Sequence, residues 1–325
     1  MKNKLLLPAV ILLVLFVSIF FILPSKDNKK LHDFYNQNGN KKILCTTEMI
    51  LVLVDSLQIE GVDTVELIPT GVDPHSYKLV YGDKDKFDTA DIVFYNGLNL
   101  EHTEGLKHRL DNHGNSVSIG DALCDIQPKS IIYIDGQPDP HIWQDVILWM
   151  DVLTIIKDVM VDQFVEQKAN IEKHYRQATQ SLQSTHQEMQ NIVLNKQSNR
   201  YLVTTHDAFN YFTRRYLALD DSNWQEHVNS PEGLSPESQL NISEINNTIK
   251  FIKENNVTKI FPEYGVNKKS LNKLVELCRD QGRNLIVSKR ELYGDCMPYV
   301  PRKVNLDDYN DMMKHNINIA TGVSQ

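Results

Sequence analysis

Three histidines occur in local settings that suit a metal site. His75 and His141 each complete an Asp-Pro-His tripeptide, and His206 directly follows an apolar run at residues 201–204. In doubly wound sheets, ligands bind outside the carboxyl ends of the strands, where loops of this kind gather. Imidazole and carboxylate groups together suit Zn²⁺, Mn²⁺ and Fe²⁺. The shared setting therefore predicts that His75, His141 and His206 hold one divalent transition metal.

Two acidic residues compete for the position of a fourth ligand. Glu263 follows a predicted strand at residues 259–262, and Asp295 follows a predicted strand at residues 285–288 after a short loop. Both residues lie at carboxyl ends of strands, so their positions alone do not separate them. A single carboxylate leaves the bound metal with a net positive charge, whereas two carboxylates would neutralise the site and hold the metal harder. The residues alone therefore leave the choice between Glu263 and Asp295 open.

Three aspartates lie next to these histidines, and each has two interpretations. Asp139 is a good N-cap and Pro140 a good first helical residue, which would place His141 in the first turn of a helix. The positive end of that helix would keep the ring neutral. Asp73, Asp139 and Asp207 either orient a histidine ring or, more simply, cap the backbone.

The remaining histidines lack the shared setting. A lone histidine is more often a surface or core residue than a ligand. We expect such ordinary roles for eight histidines on polar helices or loops, namely His32, His102, His108, His113, His174, His186, His227 and His315.

Alternating strands and helices must position the candidate ligands. Short runs rich in Val, Ile, Leu and Phe predict strands at residues 42–46, 63–69, 91–96, 117–119, 201–204, 259–262 and 285–288. Helices are predicted at residues 48–59, 207–216, 268–280 and 307–319. Strands that alternate with helices of this length indicate mainly parallel sheets.

A long helical stretch divides this alternating pattern. Residues 142–196 contain no Gly or Pro, and their second half is rich in Gln, Glu, Lys, Ala and Leu, which predicts one helix followed by a long, mostly solvated one. The predicted fold is two α/β lobes, each with a mainly parallel sheet flanked by helices, joined by one long helix. The predicted boundaries are residues 41–160, 161–197 and 198–325. A helical connection resists the large hinge motions that looped linkers allow.

The N-terminal residues predict export. Lys2 and Lys4 precede an unbroken apolar run at residues 5–23, which is the order of regions in a signal peptide. The run approaches the length that spans a bilayer, and neither a good cleavage site nor a lipid-modified cysteine follows it. Residues 1–25 are therefore a signal peptide or an uncleaved membrane anchor, and polar residues 26–40 are a linker. The expected location is the periplasm, and an uncleaved N-terminal segment would hold the protein at the inner membrane.

Composition limits the partners. The chain of 325 residues has 34 basic and 42 acidic residues, a net charge of −8, and no strong basic cluster. An acidic surface repels phosphate backbones, which excludes nucleic acid and suits a cationic ligand.

The four cysteines do not form a thiolate zinc motif. Cys45, Cys124, Cys278 and Cys296 show no CxxC spacing. Export permits disulfides, and three pairing schemes are open. We expect one disulfide, Cys278–Cys296, because these residues flank one short stretch near the C-terminus.

Five segments carry a family resemblance. GVDPHSY, PDPHIW, YLVTTHDAFNYF, GLSPESQ and LYGD occur in this order and extend over nearly all of the chain after residue 40. In these segments the sequence resembles the TroA-like solute-binding proteins of manganese, zinc and iron ABC importers, with most similarity to the chlamydial YtgA-type branch. The resemblance implies two α/β lobes with one metal between them, no enzymatic activity, and delivery of the metal to an ABC transporter permease.

The resemblance also implies the ligand set. The family's motifs fall on His75, His141, His206 and Asp295, since the last ligand is an aspartate in an LY-x-D setting. Glu263 then takes a supporting position beside a ligand histidine. The chain lacks the His-rich loop that zinc-dedicated members often carry before the second ligand, which favours manganese or iron as cargo. We expect a monomer with one Mn, Zn or Fe ion.

Three other functions fit parts of the pattern. A metal-dependent hydrolase usually keeps three protein ligands and an open position for water, which four ligands would fill, and no HExxH helix occurs. A binding protein for a chelate or cofactor would not need three converging histidines. An adhesin with an incidental metal site would not need to release its metal.

Overall fold

Four parallel strands form the sheet of the N-terminal lobe. The computed structural model describes residues 26–195, 200–236 and 242–322. The strands lie in the order β2-β1-β3-β4, and every neighbouring pair is parallel. Their bounds are Lys41–Cys45 (β1), Val62–Glu66 (β2), Ile92–Tyr95 (β3) and Ser116–Ser118 (β4). The central strand β1 is buried from its second residue onwards, as expected for a parallel sheet that is covered on both faces.

Helices alternate with these strands and cover the sheet. Their bounds are Glu48–Ser56 (α2), Asp83–Thr89 (α3), Glu104–Asn112 (α4) and Ile119–Ile126 (α5). Helix α2 is apolar around most of its circumference, and its residues 48–54 are all buried. A helix of this composition must lie inside the protein. It packs against the long helix of the molecule as well as against the sheet.

Two long helices separate the lobes. A small antiparallel hairpin, Tyr133–Ile134 (β5) and Gln137–Pro138 (β6), leads into helix Val146–Gln163 (α6) and then into helix Lys168–Leu194 (α7). The 27 residues of α7 span about 40 Å at the usual helical rise. This confirms the predicted long helix between two lobes.

Short parallel strand pairs replace a continuous sheet in the C-terminal lobe. Strand β7 pairs with β8 and β9 pairs with β10, and the Phe261 N–H donates to the Val203 carbonyl at 2.9 Å to connect the two pairs. The bounds are Leu202–Val203 (β7), Val228–Asn229 (β8), Lys259–Ile260 (β9) and Ile286–Val287 (β10). The predicted strands were therefore longer than the two-residue ladders of the structure.

The helices of the C-terminal lobe are Asn210–Phe212 (α8), Ile242–Glu254 (α9), Lys269–Asp280 (α10) and Leu306–Ala320 (α11). The helix predicted at residues 207–216 was placed too early. The chain turns through residues 204–209 before the short α8, and a π-helical turn, Thr213–Leu217, follows it. Helix α11 begins with a capping box at Asn305 and packs on α7 and α2, which ties the end of the chain to both lobes.

The predicted Cys278–Cys296 disulfide is wrong. All four cysteines lie in the described part of the chain, and none of them forms a disulfide. Cys278 is fully buried on α10 in the hydrophobic cluster of the C-terminal lobe. Cys296 instead directly follows Asp295, and its Sγ lies 3.8 Å from the Tyr264 carbonyl oxygen. Proximity in sequence misled the prediction because the helix and the loop carry the two thiols to different surroundings.

The N-terminal residues are only partly described. Helix Lys26–Tyr35 (α1) occupies much of the range predicted as a linker, and Phe34 on it is buried against the N-terminal lobe. The predicted membrane segment at residues 5–23 lies outside the described residues. Among the helices that are described, none is long and apolar enough to cross a membrane.

Candidate metal centre

The side chains of His75, His141, His206 and Asp295 meet in one buried cluster. Each offers one ligand atom, and these atoms all lie within 4.8 Å of one another. No member of the cluster is more than 5% exposed. Within residues 26–195, 200–236 and 242–322, this is the only group of three or more His, Cys, Asp or Glu residues that meets such a distance limit. None of the other eight histidines joins it.

Three distances within the cluster match the spacing of ligand atoms around a tetrahedral ion, whereas His75 Nε2 and Asp295 Oδ2 are 3.9 Å apart. His75 Nε2 lies 3.2 Å from His141 Nε2. The two carboxylate oxygens of Asp295 lie 3.2 Å from His141 Nε2 and 3.1 Å from His206 Nε2. A tetrahedral metal with ligand bonds of about 2.0–2.1 Å separates its ligand atoms by about 3.3 Å.

Unpaired polar atoms at the centre of the cluster also fit a cation. Both oxygens of Asp295 and Nε2 of His206 are buried without a hydrogen-bond partner. Buried polar atoms are rarely left unpaired in folded proteins. Three imidazole nitrogens and one carboxylate converging on a common point form a donor set for Zn²⁺, Fe²⁺ or Mn²⁺.

Asp139 orients the ring of His141. Oδ1 of Asp139 lies 2.6 Å from His141 Nδ1 and accepts the His141 backbone N–H at 3.0 Å. A proton on Nδ1 leaves the lone pair of Nε2 facing the cluster, which is the tautomer that a metal needs. Asn96 Nδ2 holds the same loop by donating to the Pro140 carbonyl oxygen at 3.0 Å.

The expected helix start at Asp139 is therefore wrong. The α-helix begins at Val146 with Asp145 as its N-cap, and His141 precedes a 3₁₀ turn at Ile142–Gln144. Since the Asp139 carboxylate is engaged by the His141 ring, it does not cap a helix. The expectation of a neutral His141 also fails for the metal-free protein, because Asp139 and Asp295 outweigh the effect of burial and raise the pKa of His141 to about 9.

Glu263 lies behind His206. Its Oε2 is 2.9 Å from His206 Nδ1, although the ring N–H does not point at it in hydrogen-bond geometry. Its Oε1 accepts the backbone N–H groups of Thr205 and His206 at 2.8 and 3.0 Å. Gly294 is required beside it, because a Cβ at that position would lie 2.5 Å from Glu263 Oε2. Glu263 thus fixes the backbone at His206 by hydrogen bonds and lies behind the ring as an ionic partner, outside the cluster of four.

His75 has a different environment. Asp73 Oδ1 accepts the His75 backbone N–H at 2.8 Å, and its Oδ2 accepts the Ser76 hydroxyl at 2.7 Å. The Asp73 carboxylate therefore braces the turn without contacting the ring.

Asp207, the third aspartate singled out in the sequence, accepts the Ser230 hydroxyl at 2.6 Å.

The charges of the cluster are strongly coupled. Burial lowers the pKa of His75 well below its ordinary value. Burial also opposes charge on His206, but Glu263 and Asp295 outweigh it and raise the pKa of His206 well above normal. Burial would raise the pKa of Asp295, yet His206 and His141 hold it well below normal. In the metal-free protein, the nearby carboxylates therefore favour a positive charge on His141 and His206, and a bound metal ion would supply that charge instead.

Hydrogen bonds between the lobes join two of the ligand loops. Trp143 Nε1 donates to the Gly294 carbonyl oxygen at 2.7 Å, and Gln144 Nε2 donates to the carbonyl oxygens of Tyr293 and Gly294 at 2.8 and 2.9 Å. Trp143 and Gln144 follow His141, whereas Tyr293 and Gly294 precede Asp295. Trp143, Tyr293 and Gly294 lie within the motifs PDPHIW and LYGD, but their role in joining the lobes is visible only from contacts between residues far apart in sequence.

A family model and several relatives match the chain. The model described as the periplasmic component A of the zinc-uptake complex, ZnuA, matches residues 43–321. The manganese-binding lipoprotein MntA of Bacillus subtilis is 28% identical over 288 residues, which cover 86% of this chain and 88% of the relative.

Two solved structures are similar over most of their length. The Fe(III)-bound YtgA of Chlamydia trachomatis is 30% identical with a TM-score of 0.77, covering 87% of this chain and 97% of that chain. The periplasmic zinc-binding protein TroA of Treponema pallidum is 25% identical with a TM-score of 0.76, covering 87% of this chain and 99% of that chain.

Proposed function

Because the chain belongs to the ZnuA family of periplasmic metal-uptake components, we propose that it captures one divalent transition metal and delivers it to an ABC transporter permease. The observation that carries this proposal is the buried cluster of four ligand atoms within 4.8 Å of one another. Members of this family are solute-binding proteins for metal import and not enzymes, which leaves the hydrolase alternative without support. Their shared role in metal import also favours transport over an adhesin with an incidental metal site.

We assign the metal ligands to His75, His141, His206 and Asp295. The assignment of Asp295 over Glu263 is supported by contact, since the Asp295 oxygens reach toward all three histidines at 3.1–3.9 Å. Glu263 supports His206 from the side away from the cluster. One carboxylate leaves a net positive charge on the loaded site, which favours release to the permease.

The cargo is Mn, Fe or Zn. The matching relatives are named for manganese and zinc, and one was crystallised with Fe(III). Three imidazoles and one carboxylate accept each of these metals, and affinity alone generally favours zinc over manganese. Metal content should therefore be measured in protein isolated from its native envelope, because recombinant protein readily acquires zinc.

We further propose that the protein acts as an exported monomer in the periplasm, held at the inner membrane by residues 5–23. The lobes would comprise residues 41–160 and 198–325, joined by residues 161–197. The length of the apolar run and its lack of a good cleavage site support the anchor. N-terminal sequencing of the protein from cells tests it, and a start near Lys26 would show release.

Titration of the full chain with Zn²⁺ and Mn²⁺ tests the main proposal. We expect one metal ion per chain, which leaves on mild acidification, and a complex with the permease that forms preferentially with the loaded protein. Absence of stoichiometric binding to Zn²⁺, Mn²⁺ and Fe²⁺ would refute the proposal. A metal that does not exchange on acidification would instead favour a structural ion.

A further inference from the structure

We propose that Asn210, in the C-terminal lobe, positions the metal ligand His141 of the N-terminal lobe by holding Asp139. This inference rests on the proposed metal site and adds a residue that is not itself a ligand. Asn210 is the first residue of α8, shortly after His206, so one stretch of chain would supply a ligand and brace another.

The contacts of Asp139 are divided between the lobes. Its Oδ1 faces the backbone N–H and Nδ1 of His141. Its Oδ2 accepts Asn210 Nδ2 at 3.0 Å. Asp139 is completely buried and Asn210 is 3% exposed, so water does not replace this donor. The carboxylate is therefore fixed at both oxygens, and Asn210 determines the angle at which the other oxygen meets the His141 ring.

A neutral donor suits this position. The Asn210 amide satisfies one oxygen of Asp139 without adding a positive charge. A Lys or Arg at this point would neutralise the carboxylate and weaken its interaction with His141 Nδ1. The amide fixes the carboxylate and leaves its charge directed to the imidazole. Asn210 Nδ2 also lies 3.1 Å from the Asp207 carbonyl oxygen, which restrains the amide itself.

The next residue reinforces the same contact. The Tyr211 hydroxyl donates to the Asp139 carbonyl oxygen at 2.9 Å and accepts the Ile132 N–H at 3.0 Å. Two consecutive residues of the C-terminal lobe thus hold the backbone and the side chain of Asp139. Consequently, the docking of the two lobes determines the orientation of His141.

Zinc titration of full-length variants tests the inference. Asn210→Ala should weaken Zn²⁺ binding about tenfold, the lower end of the usual effect of an outer-sphere partner. The matched control is Asn310→Ala. Asn310 is also buried, at 4% exposed, but its amide donates to Ser181 on α7. This control should lower the melting temperature and leave the dissociation constant unchanged. If Asn210→Ala does not fold, Asn210→Leu, which keeps the size of the side chain and removes the donor, replaces it with the same expected tenfold loss.

A double-mutant cycle separates positioning from a general structural effect. In an Asp139→Ala background, Asn210→Ala should weaken binding less than twofold further, because the two residues act through one contact. If the losses of affinity from the two single substitutions simply multiply in the double variant, the inference is overturned. Wild-type affinity in Asn210→Ala would also overturn it.

Nitrogen-15 NMR of the His141 ring provides a test that does not depend on metal. The Nδ1–H signal of His141 should be present in the wild type and in Asn310→Ala, and shifted or lost in Asn210→Ala. If the wild type binds no metal, the proposed function fails, and this NMR comparison still decides whether Asn210 positions His141. An unchanged Nδ1–H signal in Asn210→Ala refutes the positioning role.

Discussion

The two Asp-Pro-His tripeptides contain the same residues, but their aspartates have different partners. Asp73 accepts the backbone N–H of His75 and the hydroxyl of Ser76, and it does not contact the ring. Asp139 accepts the backbone N–H of His141 and lies 2.6 Å from its Nδ1. Both aspartates form the same local turn, and only the second also reaches the imidazole.

The electrostatic consequences are opposite. Burial lowers the pKa of His75 well below normal. His141 is equally buried, yet Asp139 and Asp295 raise its pKa to about 9. In the metal-free protein at neutral pH, His75 is therefore a neutral ring and His141 an imidazolium, which would have to lose a proton to bind a metal.

Contacts between the lobes account for the difference. Trp143 and Gln144, which follow His141, donate to carbonyl oxygens of the Asp295 loop, and Asn210 holds Asp139. At the His75 loop, the two lobes instead touch through their backbones. Gly265 lies so close to Gly71 that a Cβ on Gly265 would be 3.1 Å from the Gly71 carbonyl oxygen. A tripeptide thus specifies a turn, whereas residues from the other lobe specify how the histidine is held.

The largest expected effect is that of removing His141. His141→Ala should weaken Zn²⁺ binding by about 100-fold or more, beyond the usual effect of losing an outer-sphere contact. It should also destabilise the metal-free protein by about 3 kcal/mol, because it leaves a buried aspartate without its cationic partner. His75→Ala should weaken binding comparably and barely change stability. Urea unfolding without metal at pH 7 measures this contrast, and equal losses of stability would contradict it.

The second prediction extends the comparison to the third histidine. Asp295→Ala should weaken binding about 100-fold, since Asp295 contacts all three rings, whereas Glu263→Gln should weaken it about tenfold as an outer contact of His206. Glu263→Gln keeps the size of the side chain and most of its hydrogen bonding. Competition with a zinc chelator measures both constants. A larger loss for Glu263→Gln would reverse the assignment of the fourth ligand.

Proton release distinguishes the histidines directly. The pKa of His141 is raised to about 9 and that of His206 is well above normal, so metal binding at pH 7 should expel more than one proton. Apparent affinity should therefore rise with pH from 6 to 8, by about tenfold per pH unit for each proton. His75→Ala should leave the proton count unchanged. Calorimetry in buffers of different ionisation enthalpy measures the number of protons released. Release of no proton would refute the coupling between metal binding and protonation of the histidines.

The same pKa shift has a consequence for stability. The pKa of His141 is about 9 in the folded protein and 6.5 ordinarily. The resulting stabilisation of the metal-free protein is complete below pH 6.5 and is lost as pH rises through about 9. The loaded protein, in which metal replaces the proton, should not show this loss.

Local pattern predicted the N-terminal lobe better than the C-terminal lobe. The strands predicted at residues 42–46 and 91–96 match β1 and β3 within a residue, because buried runs of Ile, Leu, Val and Phe define them. In the C-terminal lobe, similar runs form ladders of only two residues. Their length depends on which segment lies alongside, and a single sequence does not contain that information.

The candidate site likewise combines features that the sequence predicts with others that only the structure shows. Strand-end position and tripeptide repetition were enough to propose the histidines, which the structure brings together. The roles of Asp139 and Asn210 depend on a hydrogen bond between residues 71 apart in sequence. The helix cap predicted at Asp139 was a sound local expectation, but the carboxylate is engaged instead by the His141 ring and by Asn210 of the other lobe.

The smallest expected effect belongs to Asp73. Asp73→Asn keeps an oxygen that accepts the His75 N–H, and it removes only charge that does not face the ring. It should weaken Zn²⁺ binding less than about threefold, whereas Asp139→Asn should weaken it about tenfold because it removes the anionic acceptor at His141 Nδ1. Parallel zinc titrations of the two variants compare one substitution in two identical tripeptides. If they weaken binding equally, contact with the ring is not what distinguishes the two aspartates, and the charge of both acts on the metal through space. Because salt screens a through-space effect more than a fully buried contact, repeating the titrations at high salt should reduce the effect of Asp73→Asn and leave that of Asp139→Asn nearly unchanged.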